Sequence, residues 1–371
     1  MILNLDQIEN LREMGYVRVV PDPYSRACLV NYTPKVVYNH LWEEYPILLD
    51  CRGMIYMPDG KVIAKPFRRF FNVGEFPGTD MESLSKLGTP RISHKMDGSM
   101  LTLFFDPETD ATRFATRGSF TSDQALAATS LWHERHEEGV NYFYPDITLV
   151  FEYVAPSNRI VVAYDRPRLV LTGMIEIDTG HEWAYDDIGV YAGVNGLESV
   201  PLEEGDYTTL SAREIRNFEG YVLHWPGPGV RVKVKLPEYV RLHRIVTGTT
   251  EHSVWDVLAR NGTRGELLRD LPVDLHGWLH DVADNLLRLY YILMGESEVH
   301  EEALTSRNLR GNDKDTRKGA AAYVAANVPA HLRAAMFLYL DGKDYRSLLW
   351  RQLEPKGNAP ANALAGRYAN G

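Results

Sequence analysis

Ser93-His94-Lys95-Met96-Asp97-Gly98-Ser99-Met100 is the stretch on which the reading of this chain turns. A lysine stands two residues before an Asp-Gly turn, and the polar run Arg91–Ser99 passes into Met100-Leu101-Thr102-Leu103-Phe104-Phe105, an apolar β-forming segment. An amine held on a turn at the mouth of a strand is placed to act as a nucleophile. By average residue usage the pattern K-x-D-G arises by chance in roughly one chain in ten of this length. The partners such an amine needs must therefore be sought in the rest of the chain.

Working outward, β-formers cluster at Gly53–Met57, Met100–Phe105, Ile147–Val154, Leu169–Ile177, Gly220–His224 and Val230–Val234, with Gly, Pro or Asp between them. One helix is expected to interrupt them at Ser122–Glu138. The pattern changes at Val246-Thr247-Gly248-Thr249-Thr250. Beyond it Ser253–Leu271, Asp274–Met294, Asp315–Ala326 and Ala330–Leu353 carry helical periodicity and good helix formers. A chain of 371 residues has a prior of about two domains. The expectation is an α+β domain at 1–246, an all-helical domain at 251–354, and a loosely ordered tail at 355–371 rich in Gly, Ala, Asn and Pro.

Apolar residues make up 44% and charged residues 24%, the balance of a soluble globular protein. The start, Met1-Ile2-Leu3-Asn4-Leu5-Asp6, lacks the basic and apolar regions of a signal peptide, and no apolar run reaches membrane-spanning length. Cys28 and Cys51 form no metal motif and no expected disulfide, so a reducing, cytoplasmic setting is expected. The net charge of −10 argues against a protein that coats nucleic acid. Yet Arg231, Lys233, Lys235, Arg241 and Arg244 make one basic zone, and Lys61, Lys65, Arg68, Arg69, Lys86, Arg91 and Lys95 make another. Two cationic zones in an acidic chain suggest a phosphate-rich ligand confined to a cleft.

The groups that could serve such a ligand stand at strands or strand ends. They are Arg52-Gly53, the run Lys65-Pro66-Phe67-Arg68-Arg69-Phe70-Phe71-Asn72, Arg117-Gly118-Ser119, and Val232-Lys233-Val234-Lys235. In the last, period two sends both lysines from one face of a strand, about 7 Å apart; taken alone it reads as a solvated strand face. Glu152, in the apolar run Leu149–Val154, and Glu219, before Gly220-Tyr221-Val222, are carboxylates costly to bury without a cation. Each alone reads as a structural salt bridge. With the lysines they would suit Mg²⁺, which takes one or two carboxylates plus phosphate oxygens and water. A lysine near pKa 10.4 needs neighbouring cations or a metal to free its lone pair. His276 and His280, four apart, lack a third ligand; His133 and His136 read as surface residues. There is no P-loop and no dinucleotide-binding glycine fingerprint.

Taken together these segments resemble the covalent nucleotidyltransferase superfamily, and within it the phage-type ATP-dependent RNA ligase 1 family. The resemblance is carried, in order, by Cys51–Met54, Arg69–Asn72, Lys95–Ser99, Arg117–Ser119, Glu152 with Pro156–Val161, Glu219–Val222 and Lys233–Lys235. It spans about residues 40–240. It implies ligase-type antiparallel sheets around an ATP cleft, followed by a helical domain and no OB-fold. It further implies Lys95 as nucleophile forming lysyl-AMP, with Asp97 and Gly98 shaping its turn. Arg52, Arg69, Lys233 and Lys235 would hold the triphosphate and later an RNA 5′-phosphate, with Phe71 and Arg117 also in the nucleotide site. Glu152 would meet the ribose, Glu219 (with Glu152) a Mg²⁺ or Mn²⁺ ion, and Gly220 and Val222 the adenine. The family has lysine where Arg69 and Arg117 stand; arginine keeps the charge but lends no proton.

The implied reaction joins RNA 5′-phosphate and 3′-hydroxyl ends through lysyl-AMP and an RNA 5′-adenylate, in RNA or tRNA repair. Its substrate would be single-stranded or broken-loop RNA, with Phe70, Phe71 or Tyr153 available for stacking. The protein would be a monomer without a membrane role, in the host cytoplasm if viral. A GTP-using capping guanylyltransferase and a non-catalytic nucleic-acid-binding relative are the alternatives. The stretch Arg307–Lys318 could touch RNA, for instance a tRNA stem-loop, but reads more readily as a solvated loop.

Overall fold

The structure, a computed structural model, describes residues 1–135, Tyr144, 146–269 and 271–356. The end of the helix expected to reach Glu138, His136, and the tail beyond Lys356 lie outside these residues. Two compact units divide the chain, Met1–Arg241 and Leu242–Gly371. The composition change at 246–250 marks not this division but the C-terminus of a helix that runs across it, Pro237–Gly248.

In the first unit fourteen strands are named along the chain: β1 (Val17–Pro21), β2 (Cys28–Tyr32), β3 (Arg52–Tyr56), β4 (Val62–Ala64), β5 (Phe71–Asn72), β6 (Arg91–Lys95) and β7 (Ser99–Asp106). Then come β8 (Ala111–Thr116), β9 (Ile147–Val154), β10 (Arg168–Glu176), β11 (Glu198–Ser199), β12 (Leu202–Glu203), β13 (Gly220–Trp225) and β14 (Val230–Lys235). They form three sheets, in the orders β1-β2-β3-β4, β11-β10-β9-β7-β8 and β12-β6-β13-β14-β5. Pairing is antiparallel except for β10 with β11 and β14 with β5.

The second sheet is amphipathic in the way its alternation dictates. Leu101, Leu103, Phe114, Leu149, Phe151 and Leu171 point to one face. There they pack against Ala128 and Trp132 of the helix Asp123–Arg135 and against Ile188 and Tyr191 of Tyr185–Val194. The opposite face carries Met100 and Val150, closed by Phe67 and Phe70. Gly173 lies at a bulge where β10 slips against β9, and a Cβ there would strike the Phe67 ring at 2.0 Å.

The elements of the second unit are helical and build two apolar clusters. One gathers Val254, Leu258, Trp278, Leu279 and Trp350, the other Leu304, Val324, Leu332, Met336 and Leu349. Two helices expected as single runs are broken. Ser253–Leu271 becomes Glu251–Ala259 and Arg264–Leu268, parted at Asn261 with positive φ, and Ala330–Leu353 is interrupted at Gly342 (φ 67). The helix expected at Asp274–Met294 runs instead from His276 to Ser306. No helix among the described residues is long and apolar enough to cross a membrane.

Candidate active site

Strand pairing assembles the site. Gly220 is paired on one side with Lys95 and on the other with Lys235; two residues on, Val222 is paired with Ser93 and Lys233; next, His224 is paired with Arg91 and Arg231. Three strands thus bring Lys95 and Lys235 into one row and Ser93, Val222 and Lys233 into the next, all on one face. Gly220 has φ 145, and a Cβ on it would lie 2.0 Å from the Val234 carbonyl oxygen, so only glycine lets β13 and β14 close here.

Lys95 Nζ donates to Glu219 Oε2 at 2.8 Å, and Lys235 Nζ lies 3.0 Å from Glu219 Oε1. Glu219 is 2% exposed, so both of its oxygens are held by lysines away from water. Burial alone would lower the Lys95 pKa, but Glu219 and Glu152 more than offset it and hold the amine above its ordinary value. In this state Lys95 is an ammonium without a free lone pair. Glu152, across the cleft on β9, is pushed up to about 7 by burial, Lys95 and Arg52 opposing and Glu219 adding to the shift. Its Oε1 accepts from Gly98 N at 3.2 Å.

A cleft of about 520 Å³ opens beside this triad. Lys95, Arg52, Arg117, Lys233, Glu152, Val222, Gly98 and Phe70 are among the residues that line it. Among the described residues no carboxylate ion-pairs with Arg52, Arg117 or Lys233. Arg52 Nη1 instead meets Met100 Sδ and the Phe67 carbonyl. Arg117 reaches only the Tyr32 hydroxyl, at 3.4 Å, and Lys233 Nζ sits 4.6 Å from the Phe70 ring centroid. Burial, then Arg52, Lys95 and Arg69, lower the Lys233 amine to about 7. Three crowded cations with no carboxylate ion pair among the described residues suit an anion of several charges.

The other expected residues fall elsewhere. Asp97 is buried and turned away from the cleft. Its Oδ2 accepts from Val161 N and Val162 N, each at 2.7 Å, and its Oδ1 from the Tyr239 hydroxyl at 2.7 Å. Gly98 packs so closely on β9 that a Cβ would lie 2.3 Å from the Tyr153 carbonyl oxygen. Arg69 is bound to Glu75 and Tyr32, each at 3.0 Å, and faces Trp42 and Phe71 rather than lining the cleft. Phe71 stacks on Phe76 inside the core, and Tyr153 is buried as well, so of the three aromatics considered for stacking Phe70 alone borders the cleft.

Sequence reasoning passed over Tyr32, whose hydroxyl joins Arg69 to Arg117. Burial would raise that phenol, but Arg69, Arg117 and Arg52 bring it below its usual pKa. It also passed over Thr172 and Tyr185, which line the cleft. Nothing local in the sequence marks either. Among the described residues no three His, Cys, Asp or Glu side chains are grouped to hold a metal. His276 meets the Leu271 carbonyl and His280 meets Arg264. Glu152 and Glu219 are hard oxygen donors, and Glu152 lacks a full counter-charge. They fit a Mg²⁺-type ion completed by phosphate oxygens and water, not a site closed by protein alone.

Residues 50–239, the segment holding every residue that lines this cleft except Asn31, match the sequence profile described as RNA ligase. The chain belongs to the RNA ligase family, of the phage type. A provisionally named RNA ligase of Thermovibrio ammonificans is 25% identical over 347 residues, covering 83% of this chain and 86% of that protein. The RNA ligase of Rhodothermus phage RM378 is 25% identical over 285 residues, covering 57% of this chain and 64% of the phage protein. Among solved structures, an archaeal ATP-dependent RNA ligase aligns with TM-score 0.48 at 12% identity, over 68% of this chain and 66% of that one. The Naegleria gruberi RNA ligase with PPi aligns with TM-score 0.35 at 15% identity, over 42% and 51%.

Proposed function

We propose that the chain is an ATP-dependent RNA ligase that joins 5′-phosphate and 3′-hydroxyl ends of single-stranded or broken-loop RNA, as in tRNA repair, through lysyl-AMP. The observation that carries this reading is the cleft lined by Lys95 with Arg52, Arg117 and Lys233, three cations without a carboxylate ion pair among the described residues. Their charge suits a triphosphate, and burial makes each contact worth more than it would be in water.

In the first step Lys95 Nζ sheds a proton, for which Glu219, 2.8 Å away, is the acceptor in reach. Its lone pair then attacks the α-phosphorus of ATP; the bond from phosphorus to the bridging oxygen breaks, and pyrophosphate leaves with the electron pair. Arg52, Arg117 and Lys233 hold the departing charge. An RNA 5′-phosphate next enters the position pyrophosphate has left and takes AMP from Lys95. A 3′-hydroxyl finally displaces AMP to close the phosphodiester. The same fixed cations can serve all three steps, since each transfers a phosphoryl centre in line. Glu219 and Glu152 would hold a divalent cation, which when bound offsets phosphate charge and the carboxylate field that now keeps Lys95 protonated.

The test is to incubate the protein with α-labelled ATP or GTP and Mg²⁺, denature it, and look for retained label, with Lys95→Ala alongside. Label from ATP that is absent from the variant is expected. Label from GTP would move the reading to a capping-type guanylyltransferase. No label from a folded, nucleotide-free protein would end the covalent mechanism.

A further inference from the structure

The cleft also carries polar groups that the phosphate chemistry leaves unused. Arg231 lines it, but its charge is met by Glu182 through Nε and Nη2, and its plane lies 4.4 Å from the Phe67 ring centroid. Its remaining nitrogen, Nη1, donates to the Tyr185 hydroxyl at 2.6 Å. Ser93 Oγ donates to the same oxygen at 2.9 Å. The phenol oxygen thus receives two hydrogen bonds, and among the described residues nothing accepts its own hydrogen. Thr172 is the converse. Its hydroxyl donates to the Val150 carbonyl at 3.0 Å, which leaves the oxygen's lone pairs as acceptors toward the cleft.

Phe67, Val200 and Val222 line the same cleft as these two groups, and the Phe67 ring lies beside both Arg231 and Gly173, the neighbour of Thr172. Phosphates belong with the unpaired cations, so the base belongs here. The Ser93 and Val222 row lies two residues along the sheet from Lys95, about 7 Å, within reach of a base whose α-phosphate meets that lysine.

We propose that Thr172 and Tyr185 read the base, Thr172 accepting from an exocyclic amine and Tyr185 donating to a ring nitrogen, and that this pair makes the site selective for adenine. The inference rests on the nucleotidyl-transfer reading above. Adenine presents a 6-amino donor beside an acceptor nitrogen, which matches both groups. Guanine presents a 6-carbonyl to the Thr172 lone pairs and an N1–H to the Tyr185 donor, and mismatches both. A site built on fixed hydrogen bonds rejects the wrong pattern more strongly than an apolar slot can.

The experiment measures label transfer to the full chain from ATP, GTP and purine riboside triphosphate, which lacks the 6-amino group, for wild type, Thr172→Val and Tyr185→Phe. Wild type is expected to prefer ATP over the 6-hydrogen analogue by about 10-fold or more. Thr172→Val, which preserves shape, is expected to bring that ratio to about one. Tyr185→Phe is expected to narrow the preference for ATP over GTP by about 10-fold. Equal use of ATP and the analogue by wild type would overturn the proposal and leave the ligase reading standing, and so would an unchanged ratio in Thr172→Val. The wild-type comparison holds even if a variant fails to fold. Absence of label from every triphosphate would overturn the ligase reading and this inference with it.

Discussion

Replacing Asp97 by alanine is expected to unfold the loop behind Lys95 rather than to remove a reacting group. The buried carboxylate accepts from the Val161 and Val162 amides and from the Tyr239 hydroxyl, all at 2.7 Å. Alanine would strand two buried N–H groups at about 1–3 kcal/mol each and delete one strong hydroxyl bond, a total of about 3–7 kcal/mol. That is a large share of the roughly 5–15 kcal/mol that holds an ordinary domain together. Asparagine behaves differently. Its oxygen can face both amides while its NH₂ donates to the Tyr239 oxygen, so only the charge reinforcement of the bonds is lost, about 1–2 kcal/mol. Urea denaturation followed by circular dichroism would measure both variants, with ATP labelling assayed where each is folded. The expected order of stability is wild type, Asp97→Asn, Asp97→Ala, with labelling retained in the asparagine variant. An alanine variant as stable as wild type yet unlabelled would refute the anchoring argument and return Asp97 to the chemistry.

Lys233, lowered to about 7, is charged below that pH and largely neutral above it in the free protein, whereas a bound phosphate favours the ammonium. ATP affinity should therefore fall as pH rises from 7 to 9, by at most about tenfold per unit, and Lys233→Met, titrated in parallel to cancel the ligand's own ionisation, should lack this loss. A wild-type curve parallel to that variant would count against the depressed amine. His224 is buried and lowered from 6.5 to about 3, first by burial and then by Arg231. The unfolded chain takes up a proton below 6.5 that the fold excludes, so stability falls as pH drops from 6.5 toward 3, by about 1.4 kcal/mol per unit. His224→Phe should flatten that limb in denaturation curves at pH 4–6.5, and an unaltered slope would assign the acid sensitivity elsewhere. Gly98→Ala would place a methyl 2.3 Å from the Tyr153 carbonyl. The roughly 1 Å displacement needed to relieve it should slow lysine labelling about 100-fold; a rate within a few-fold of wild type would contradict the close packing.

What was legible in the sequence was whatever strand periodicity controls. Lys233 and Lys235 leave one face because period two is a local property, and the apolar neighbours of Glu219 and Glu152 announced carboxylates withdrawn from water, the first buried and the second half-buried. Where two adjacent residues compete for one face, the sequence was mute. Phe70 and Phe71 are chemically identical, and only the parallel pairing of Phe71 with Val232 sends Phe71 inward. Arg69 and Arg117 read alike as cations, but Glu75, three residues beyond Asn72, holds Arg69 while Arg117 is left without an acid. Tyr32, Thr172 and Tyr185 come from segments 60 or more residues from Lys95, and they matter only because the sheets bring them to it. The helical breaks at Asn261 and Gly342 were visible as turn formers but were outweighed by the surrounding periodicity.

The row that joins Lys95, Gly220 and Lys235 has a bearing on how the protein is made. A ribosome delivers Lys95 140 positions before the last member of that row, and β6, paired with β12 on one side, keeps an open edge until β13 has emerged. A chain that has not reached β13 therefore carries Lys95, Arg52 and Arg117 without Glu219, Lys233 and Lys235. If Lys95 takes the nucleotide as proposed, label on it would report that synthesis has passed Lys235 and that the strands have found their register.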